Sequence, residues 1–503
     1  MLKPFPLFGD HCIFPMDREL RIFGEADEES VVRATLRDTD GSPLETGCCE
    51  ARGGRFLVLL PAVCDALTGL SLEISDGAET YTARDIATGL VFLAGGQSNM
   101  ELPLCNADEG KDIIAAHEDP DLRWYMVPKE SVPAKADAAQ PGCRWEPMTP
   151  GSSPEMSGVG YFFAARLRRQ LNLPIGIIGC YWGGTSVTAW MDEEALRQSA
   201  EGTRYLTEYA AQAGDKTMET WQAEEDVFEA AMDVWNKKVE EVRAAHPGIE
   251  WEDIEAQAGK CPWFPPVGPG SQYRPAGLAE TMLKRVTPAA LTAFLYYQGE
   301  DDTTRTDRYD LLLAGMVRRW RELFQNQELP FINMQLPMWI EKGHEEDYAW
   351  PRTRMAQHRV WRETRHSALT CLIDCGEFNN IHPTDKRTPG ERMADEYLAL
   401  AGDEAAALRL PPTALSKRTE DSTLTVLLDQ PVHTVGGPAD LFEVAGADGI
   451  FHPANAVIRQ GTEIVLSSEE VPYPMAARYA YVSWAKVHVF GDNGMPLRPF
   501  EME

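Results

Sequence analysis

Leu90-Val91-Phe92-Leu93-Ala94-Gly95-Gly96-Gln97-Ser98-Asn99-Met100 decides the fold. Its first five residues form an unbroken apolar run, the pattern of a strand buried on both faces of a parallel sheet. The glycine pair then allows a sharp turn, and Ser98 falls at the start of whatever helix follows. Ile175-Gly176-Ile177-Ile178-Gly179 and Leu291-Thr292-Ala293-Phe294-Leu295-Tyr296 repeat the apolar run. Phe331-Ile332-Asn333-Met334 and Leu369-Thr370-Cys371-Leu372-Ile373 read as further sheet strands. Helical patterns such as Leu311 to Phe324 lie between them, and this alternation predicts an α/β layer domain over residues 89–404.

The flanks have a different character. Residues 1–88 hold short apolar runs (Leu20-Arg21-Ile22-Phe23, Phe56-Leu57-Val58-Leu59-Leu60) split by turn residues such as Asp40-Gly41 and Gly53-Gly54. That spacing predicts a β-sandwich-like domain. Residues 405–503 return to alternating short runs, as in Ser422 to Leu428, and predict a small C-terminal β domain. Within the α/β domain, residues 192–260 are acidic and helix-prone, with apolar positions at Val227, Ala230, Ala231, Val234 and Trp235. They predict solvated amphipathic helices inserted between two sheet strands, placed as a lid or wall over a site. Pro and Gly make residues 261–270 a loop.

Composition bounds the function. A chain of 503 residues exceeds one core, so two to four domains are expected. With 44% apolar and 25% charged residues, disordered and collagen-like classes are excluded. Lys and Arg number 47 against 78 Asp and Glu, and the formal net charge of −31 repels phosphate backbones and anionic membrane surfaces. Neither a nucleic-acid nor a membrane partner is therefore expected, and no run approaches the roughly 18 apolar residues of a membrane span. The first residues lack the apolar core and cleavage site of a secretory signal, so a cytoplasmic address is the expectation. The ten cysteines show no paired metal spacing and read as free thiols, so no metal is implied.

Four segments carry polar residues at the carboxyl end of a buried strand, where open α/β sheets bind ligands. The first ends in Ser98, at a helix start whose unpaired N–H groups and dipole favour a developing anion. Taken alone, Ser98 is equally an ordinary N-cap, and Asn99-Met100 after it departs from the G-x-S-x-G elbow. The second contains Gly183-Gly184, where backbone N–H groups can approach a ligand oxygen. The third gathers Gln298, Glu300, Asp301 and Asp302, able to donate a hydrogen bond and orient a base, or simply to begin a helix. The fourth, Asp374 to Pro383, places His382 on a loop ahead of the helix start Thr388-Pro389-Gly390-Glu391-Arg392. A serine, oxyanion donors and a histidine at one sheet edge are the parts that acyl transfer requires.

In that order, Gln97-Ser98-Asn99-Met100, Gly183-Gly184-Thr185, Gln298-Gly299-Glu300 and Ile381-His382-Pro383 resemble the four blocks of the SGNH-hydrolase superfamily. The variant is that of the sialate O-acetylesterases and related carbohydrate acetylesterases. The N-terminal β segment leading into Phe92, and Phe490 to Phe500, are similar to the ends of the sialate-type proteins, so the resemblance covers nearly the whole chain. It implies a three-layer α/β domain with a parallel sheet, flanked by small N- and C-terminal β domains. It also implies Ser98 as nucleophile, His382 as general base, and an oxyanion hole from the Ser98 backbone, Gly183, Gly184 and the Gln298 side chain. No cofactor is implied. The substrate it implies is a small O-acetylated sugar or oligosaccharide, sialic acid first, with acetylxylan-type deacetylation as the alternative. A catalytically silent carbohydrate-binding protein is the reading from another class.

Trp182 and Tyr297 flank the expected pocket, suited to stacking on sugar rings or to core packing. Arg354 and Gln357 occupy positions similar to an Arg-x-x-Gln feature of the family and are expected to face substrate. One departure concerns the acid: many relatives place Asp three residues before the histidine, and Asn379 stands there. A neutral amide can orient an imidazole but cannot stabilise imidazolium by charge. The third member is then Glu300, Asp374 or Glu377, or is absent; related carbohydrate esterases favour Glu300, with Asp374 as alternative. Glu300-Asp301-Asp302 also stands where sialate-type relatives more often show Glu-Ser-Asn, which leaves the preferred sugar open.

Overall fold

The apolar run lies in a strand of 17 residues, β1 (Thr80–Gly96), and a computed structural model of the protein describes residues 1–246, 249 and 251–503 around it. The remaining elements of the central layer are, in chain order, β2 (Asp119–Met126), β3 (Trp145–Met148), α1 (Gly158–Leu171), β4 (Ile175–Tyr181), α2 (Met218–Ala245), β5 (Ala293–Tyr297), α3 (Tyr309–Leu323), β6 (Phe331–Met334), α4 (Ala349–Glu363), β7 (Ser367–Thr370) and α5 (Arg387–Leu400). The strands stand in the order β3-β2-β4-β1-β5-β6-β7. All neighbours are parallel except the β3–β2 pair at one edge.

The two-sided burial has a direct cause. Phe92 and Ala94 point into a core with Phe162, Phe163, Met393 and Tyr397, supplied by α1 and α5. Val91 and Leu93 point the other way, into a core with Leu312, Met316 and Trp320 of α3. Edge-to-face aromatic pairs lock both layers: Phe92 with Phe163 at 4.8 Å, and Phe294 with Trp320 at 5.2 Å between centroids. Val91 to Ala94 are therefore covered, whichever way each points, and Leu90 is partly covered.

The sheet is mixed rather than wholly parallel, and the expected boundary after residue 88 falls inside β1. The first half of β1 pairs antiparallel with Leu70–Ser75 and parallel with Ile13–Pro15, so the N-terminal strands continue the same sheet of 11 strands. A second sheet, Leu2–Pro4, Leu20–Ala26 and Arg55–Leu60, covers it and shares its core through Ile22 and Val58. One strand thus serves both the N-terminal strands and the central layer, with a register shift at Asp85, whose φ is 54°, where its antiparallel pairing nears its end.

The expected insertion forms helices between β4 and β5: Glu193–Arg197, Ala200–Ala213, α2 and Trp251–Ala258. Residues 247, 248 and 250 of that insertion lie outside the described residues. Its packed stripe differs from the expected one. Trp221, Glu225, Phe228, Met232, Trp235 and Val239 turn inward or half inward, whereas Val227 and Val234 are exposed. Both sets have helical spacing, and the neighbours select between them: Trp221 donates its indole N–H to Pro266 O at 3.0 Å, and Val239 packs with Ile254 and Ala258 of the next helix. Among the described residues, no helix is long and apolar enough to cross a membrane.

In the C-terminal domain two four-stranded antiparallel sheets face each other across Leu424, Val426, Phe442, Val444, Ile464 and Leu466. Arg498 fastens it to the α/β domain. It is buried, donates to Glu396 of α5 at 3.0 Å and to Leu369 O of β7, and stacks over Trp361 of α4 at 4.5 Å. Because both ions are out of water, removing one strands the other. Arg498→Met should lower unfolding free energy by roughly 3–5 kcal/mol in urea titrations. Arg498→Met combined with Glu396→Leu should recover much of that loss.

Candidate active site

β1 ends at Gly96, with φ of 132°, and a Cβ there would lie 2.1 Å from Tyr297 O. Only glycine therefore permits the close approach of the β1 and β5 ends from which the chain turns into the short helix Ser98–Glu101. Ser98 opens that helix, so its N–H has no helical acceptor. The loop after β7 carries His382, and Nε2 of its ring lies 2.8 Å from Ser98 Oγ, across 284 residues of sequence. Asn380 Oδ1 accepts from the His382 N–H at 3.1 Å and shapes the loop locally. His382 is exposed at the rim of the site, yet desolvation by its neighbours, and secondly the Lys386 ammonium, hold it below the ordinary histidine value, at about 4, so the ring is neutral at pH 7.

Beneath this pair lies a buried polar network centred on Asn99. Its Nδ2 donates to Glu300 Oε1 at 2.6 Å and to Ile381 O at 3.0 Å, while its Oδ1 accepts from Lys386 Nζ at 2.8 Å. Asn99 follows the serine and Ile381 precedes the histidine, so one amide ties the two loops together. Lys386 is 1% exposed, sits 6.0 Å over the Tyr297 ring centroid, and is lowered to about 8 by burial. The carboxylates of Glu300, Asp385 and Glu377 favour its charged form. Burial raises the Glu300 carboxyl, opposed by the Asn99 bond and the Lys386 charge. Asn99 and Lys386 escaped the sequence reading. Asn99 is one residue of the Gln97–Met100 block with no mark of its own role, and a lysine four residues past the histidine carries no sign of burial.

The expected acids stand elsewhere. Glu300 touches Asn99 rather than the imidazole, and among the described residues no carboxylate hydrogen-bonds to His382. Asp374 is held by both Nη atoms of Arg392, at 2.6 and 2.8 Å. Glu377 accepts from Asn380 at 2.8 Å. Asn379 has φ of 59°, and its Oδ1 accepts from the Lys342 N–H at 2.9 Å rather than from the imidazole.

The expected oxyanion donors divide in two. A Cβ on Gly183 would lie 3.3 Å from Ser98 Cβ, so this turn rests on the serine, but the Gly183 N–H donates to Glu101 Oε2 at 2.5 Å. Gln298 donates to Asp302 at 2.6 Å and to Thr185 O at 3.2 Å, and accepts from Tyr309 at 2.8 Å. Both of its amide hydrogens are committed. Asp302 also accepts from Ser186, Val187 and Tyr205, so Gln298 and Asp302 brace the 183–187 turn from below. The Ser98 and Gly184 N–H groups have no protein acceptor among the described residues.

Three expected substrate residues are structural instead. Tyr297 is buried in the core shared with α1 and α5. Arg354 is fully buried and donates to Val482 O of the C-terminal domain at 2.5 Å. Gln357 donates to Gln298 O at 2.9 Å and Met334 O at 3.2 Å, closing the ends of β5 and β6. Their position on the inner face of α4 explains both. Trp182 is half-buried at the site, beneath Lys129 at 5.1 Å, and Lys129 pairs with Glu101. Trp263 and Tyr273, from the loop after the insertion, complete this side. A Cβ on Gly184 would lie 3.0 Å from Tyr273 Oη and 3.3 Å from Trp263 Cζ2, and Trp263 stays 47% exposed. The loop after the insertion therefore walls this side of the site.

Comparison with known proteins agrees with this chemistry. A family described as carbohydrate esterase, sialic acid-specific acetylesterase, matches residues 270–399. The sialate O-acetylesterase of Mus musculus is 23% identical over 447 residues, covering 81% of this chain and 75% of that protein. That of Rattus norvegicus is 22% identical over 471 residues, covering 86% and 78%. A crystal structure of a carbohydrate acetylesterase from Xanthomonas citri matches with a TM-score of 0.75 at 25% identity, over 100% of both chains. By these likenesses the chain is an ester hydrolase, similar to carbohydrate esterases of sialate O-acetylesterase type.

Two outcomes follow from the network. Asn99→Ala frees the histidine loop from the serine helix, and kcat for p-nitrophenyl acetate should fall by about 100-fold, the cost of misplacing reacting groups by an ångström, with KM little changed. Lys386→Met removes a charge that disfavours imidazolium, so the His382 pKa rises. The acid limb of the kcat/KM profile, near pH 4 in the wild type, should move upward toward the ordinary histidine range.

Proposed function

We propose that this chain is a serine esterase that removes O-acetyl groups from a carbohydrate, with Ser98 as nucleophile and His382 as the base. The 2.8 Å contact between Ser98 Oγ and His382 Nε2 carries the reading. The neutral ring accepts the hydroxyl proton as Oγ attacks the acetyl carbonyl, and the tetrahedral oxyanion is met by the free Ser98 and Gly184 N–H groups. The imidazolium then protonates the departing sugar oxygen, and water hydrolyses the acetyl-enzyme by the same route. Glu300 contributes through Asn99, as the anchor of the loop that positions the ring.

The mouse and rat relatives bear the name of sialate esters, and an O-acetylated sialic acid is the first substrate we propose. One observation favours an uncharged oligosaccharide instead. Arg354, the cation expected to meet a sugar carboxylate, is fully buried and bonded to the C-terminal domain. Kinetics on O-acetylated sialic acid against acetylated xylo-oligosaccharide separate the two readings by the larger kcat/KM. For the chemistry itself, Ser98→Ala and His382→Ala should each lower kcat for p-nitrophenyl acetate by about 10⁴-fold or more. Wild-type turnover in either variant overturns the assignment, and a wild-type protein that releases no acetate favours a silent sugar-binding role.

A further inference from the structure

His382 opens onto a groove of ≈ 910 Å³ that runs between residues 102–112 and the loop 379–384. Its two rims are stitched together. The Asp108 N–H donates to Thr384 O at 3.0 Å, and Glu109 pairs with Arg387 at 2.6 Å. Arg243, near the end of α2, lines the same groove, so the helical insertion contributes to it as well. The other lining groups include Asn106, Lys111, Asn380 and Thr384: amides, a hydroxyl and charge, with no aromatic ring among them.

Stereochemistry decides what lies there. The Nε2 that takes the serine proton must deliver it to the leaving oxygen, so that oxygen and the sugar behind it sit on the histidine side of Ser98. Tyr273 and Trp263 close over Gly184 and take no part in lining the groove. The groove is at the upper end of the roughly 300–1,000 Å³ range of small-ligand sites, room for more than one pyranose. On its walls Asn106, Lys111, Asn380 and Thr384 offer donors and acceptors for hydroxyl groups, beside the apolar side chains of Leu102, Ala107 and Ile381.

We propose that this groove is the leaving-group subsite, and that it holds an oligosaccharide acetylated on the sugar next to His382. The inference rests on the serine esterase reading and deepens it: the protein selects chains of two or more sugars over single acetylated sugars. Lys111 and Asn106, remote from the reacting atoms, hold the second sugar by hydrogen bonds.

The test compares each single sugar with its longer counterpart: acetylated xylose with acetylated xylotriose, and O-acetylated sialic acid with its sialyl-lactose. For at least one pair, wild-type kcat/KM should rise by about tenfold with chain length, the worth of one or two hydrogen bonds. Asn106→Ala and Lys111→Ala should raise KM for the longer member several-fold and leave p-nitrophenyl acetate turnover unchanged, since p-nitrophenolate departs without filling the groove. No preference for length in either pair, or an unchanged KM in both variants, overturns the subsite while leaving the esterase chemistry intact. Loss of wild-type p-nitrophenyl acetate hydrolysis instead overturns the esterase reading itself.

Discussion

One buried amide holds the two halves of the site at working distance. Asn99 satisfies a carboxylate, a backbone carbonyl and an ammonium at once, and all of these come from distant parts of the chain. Lys386 and Glu300 are each nearly removed from water, which is costly for an isolated ion. Asn99 lets each see the other's charge through a polar bridge, with donors and acceptors correctly matched. The same amide grips Ile381 O, so the stability of this network and the placement of His382 are one quantity. A base loop anchored this way does not need a carboxylate on the ring to be oriented, and none hydrogen-bonds to it.

The remainder of the site shows a division of labour among groups that sequence alone ranks as equivalent. Of the carboxylates after β5, Glu300 serves the Asn99 network, while Asp302 takes four hydrogen bonds and braces the glycine turn through Gln298. Asp301 differs from both: burial and the neighbouring Asp302 raise it to about 7. Glu101, one helical turn past the serine, takes the Gly183 N–H and in turn binds Lys129, which lies over Trp182. The turn that rests on Ser98 is thus fixed by charge from two directions, leaving the Ser98 and Gly184 N–H groups for a ligand oxygen.

The flanking β domains are coupled to this centre by single continuous features. At the front, β1 runs unbroken from the N-terminal strands to the residue before Gln97. At the back, Arg354 and Arg498 bind the C-terminal domain to α4, α5 and β7, the elements on either side of the histidine loop. Both arginines are buried among backbone carbonyls and, for Arg498, a carboxylate. This explains why an Arg-x-x-Gln pattern on a helix was readable as substrate-facing yet serves packing: its polar groups saturate the ends of neighbouring elements.

By itself the sequence determined the layered α/β centre and the delivery of Ser98 and His382 to one sheet edge. Five-residue apolar runs such as Leu90 to Ala94 are best placed between two covering layers, and the glycine at 96 marks where backbone must approach backbone. It also marked the insertion and the C-terminal strands, because periodicity is a local property. Strands β2 and β3 went unread, for their apolar residues are interrupted by Pro and charge. Only the tertiary structure decided which face of α2 is packed, which carboxylate meets which donor, and that Tyr297, Arg354 and Gln357 are interior. Those outcomes depend on partners more than a dozen residues away in the chain, and a polar side chain carries no sequence mark of whether it will be met by substrate, by solvent or by a carbonyl of the fold.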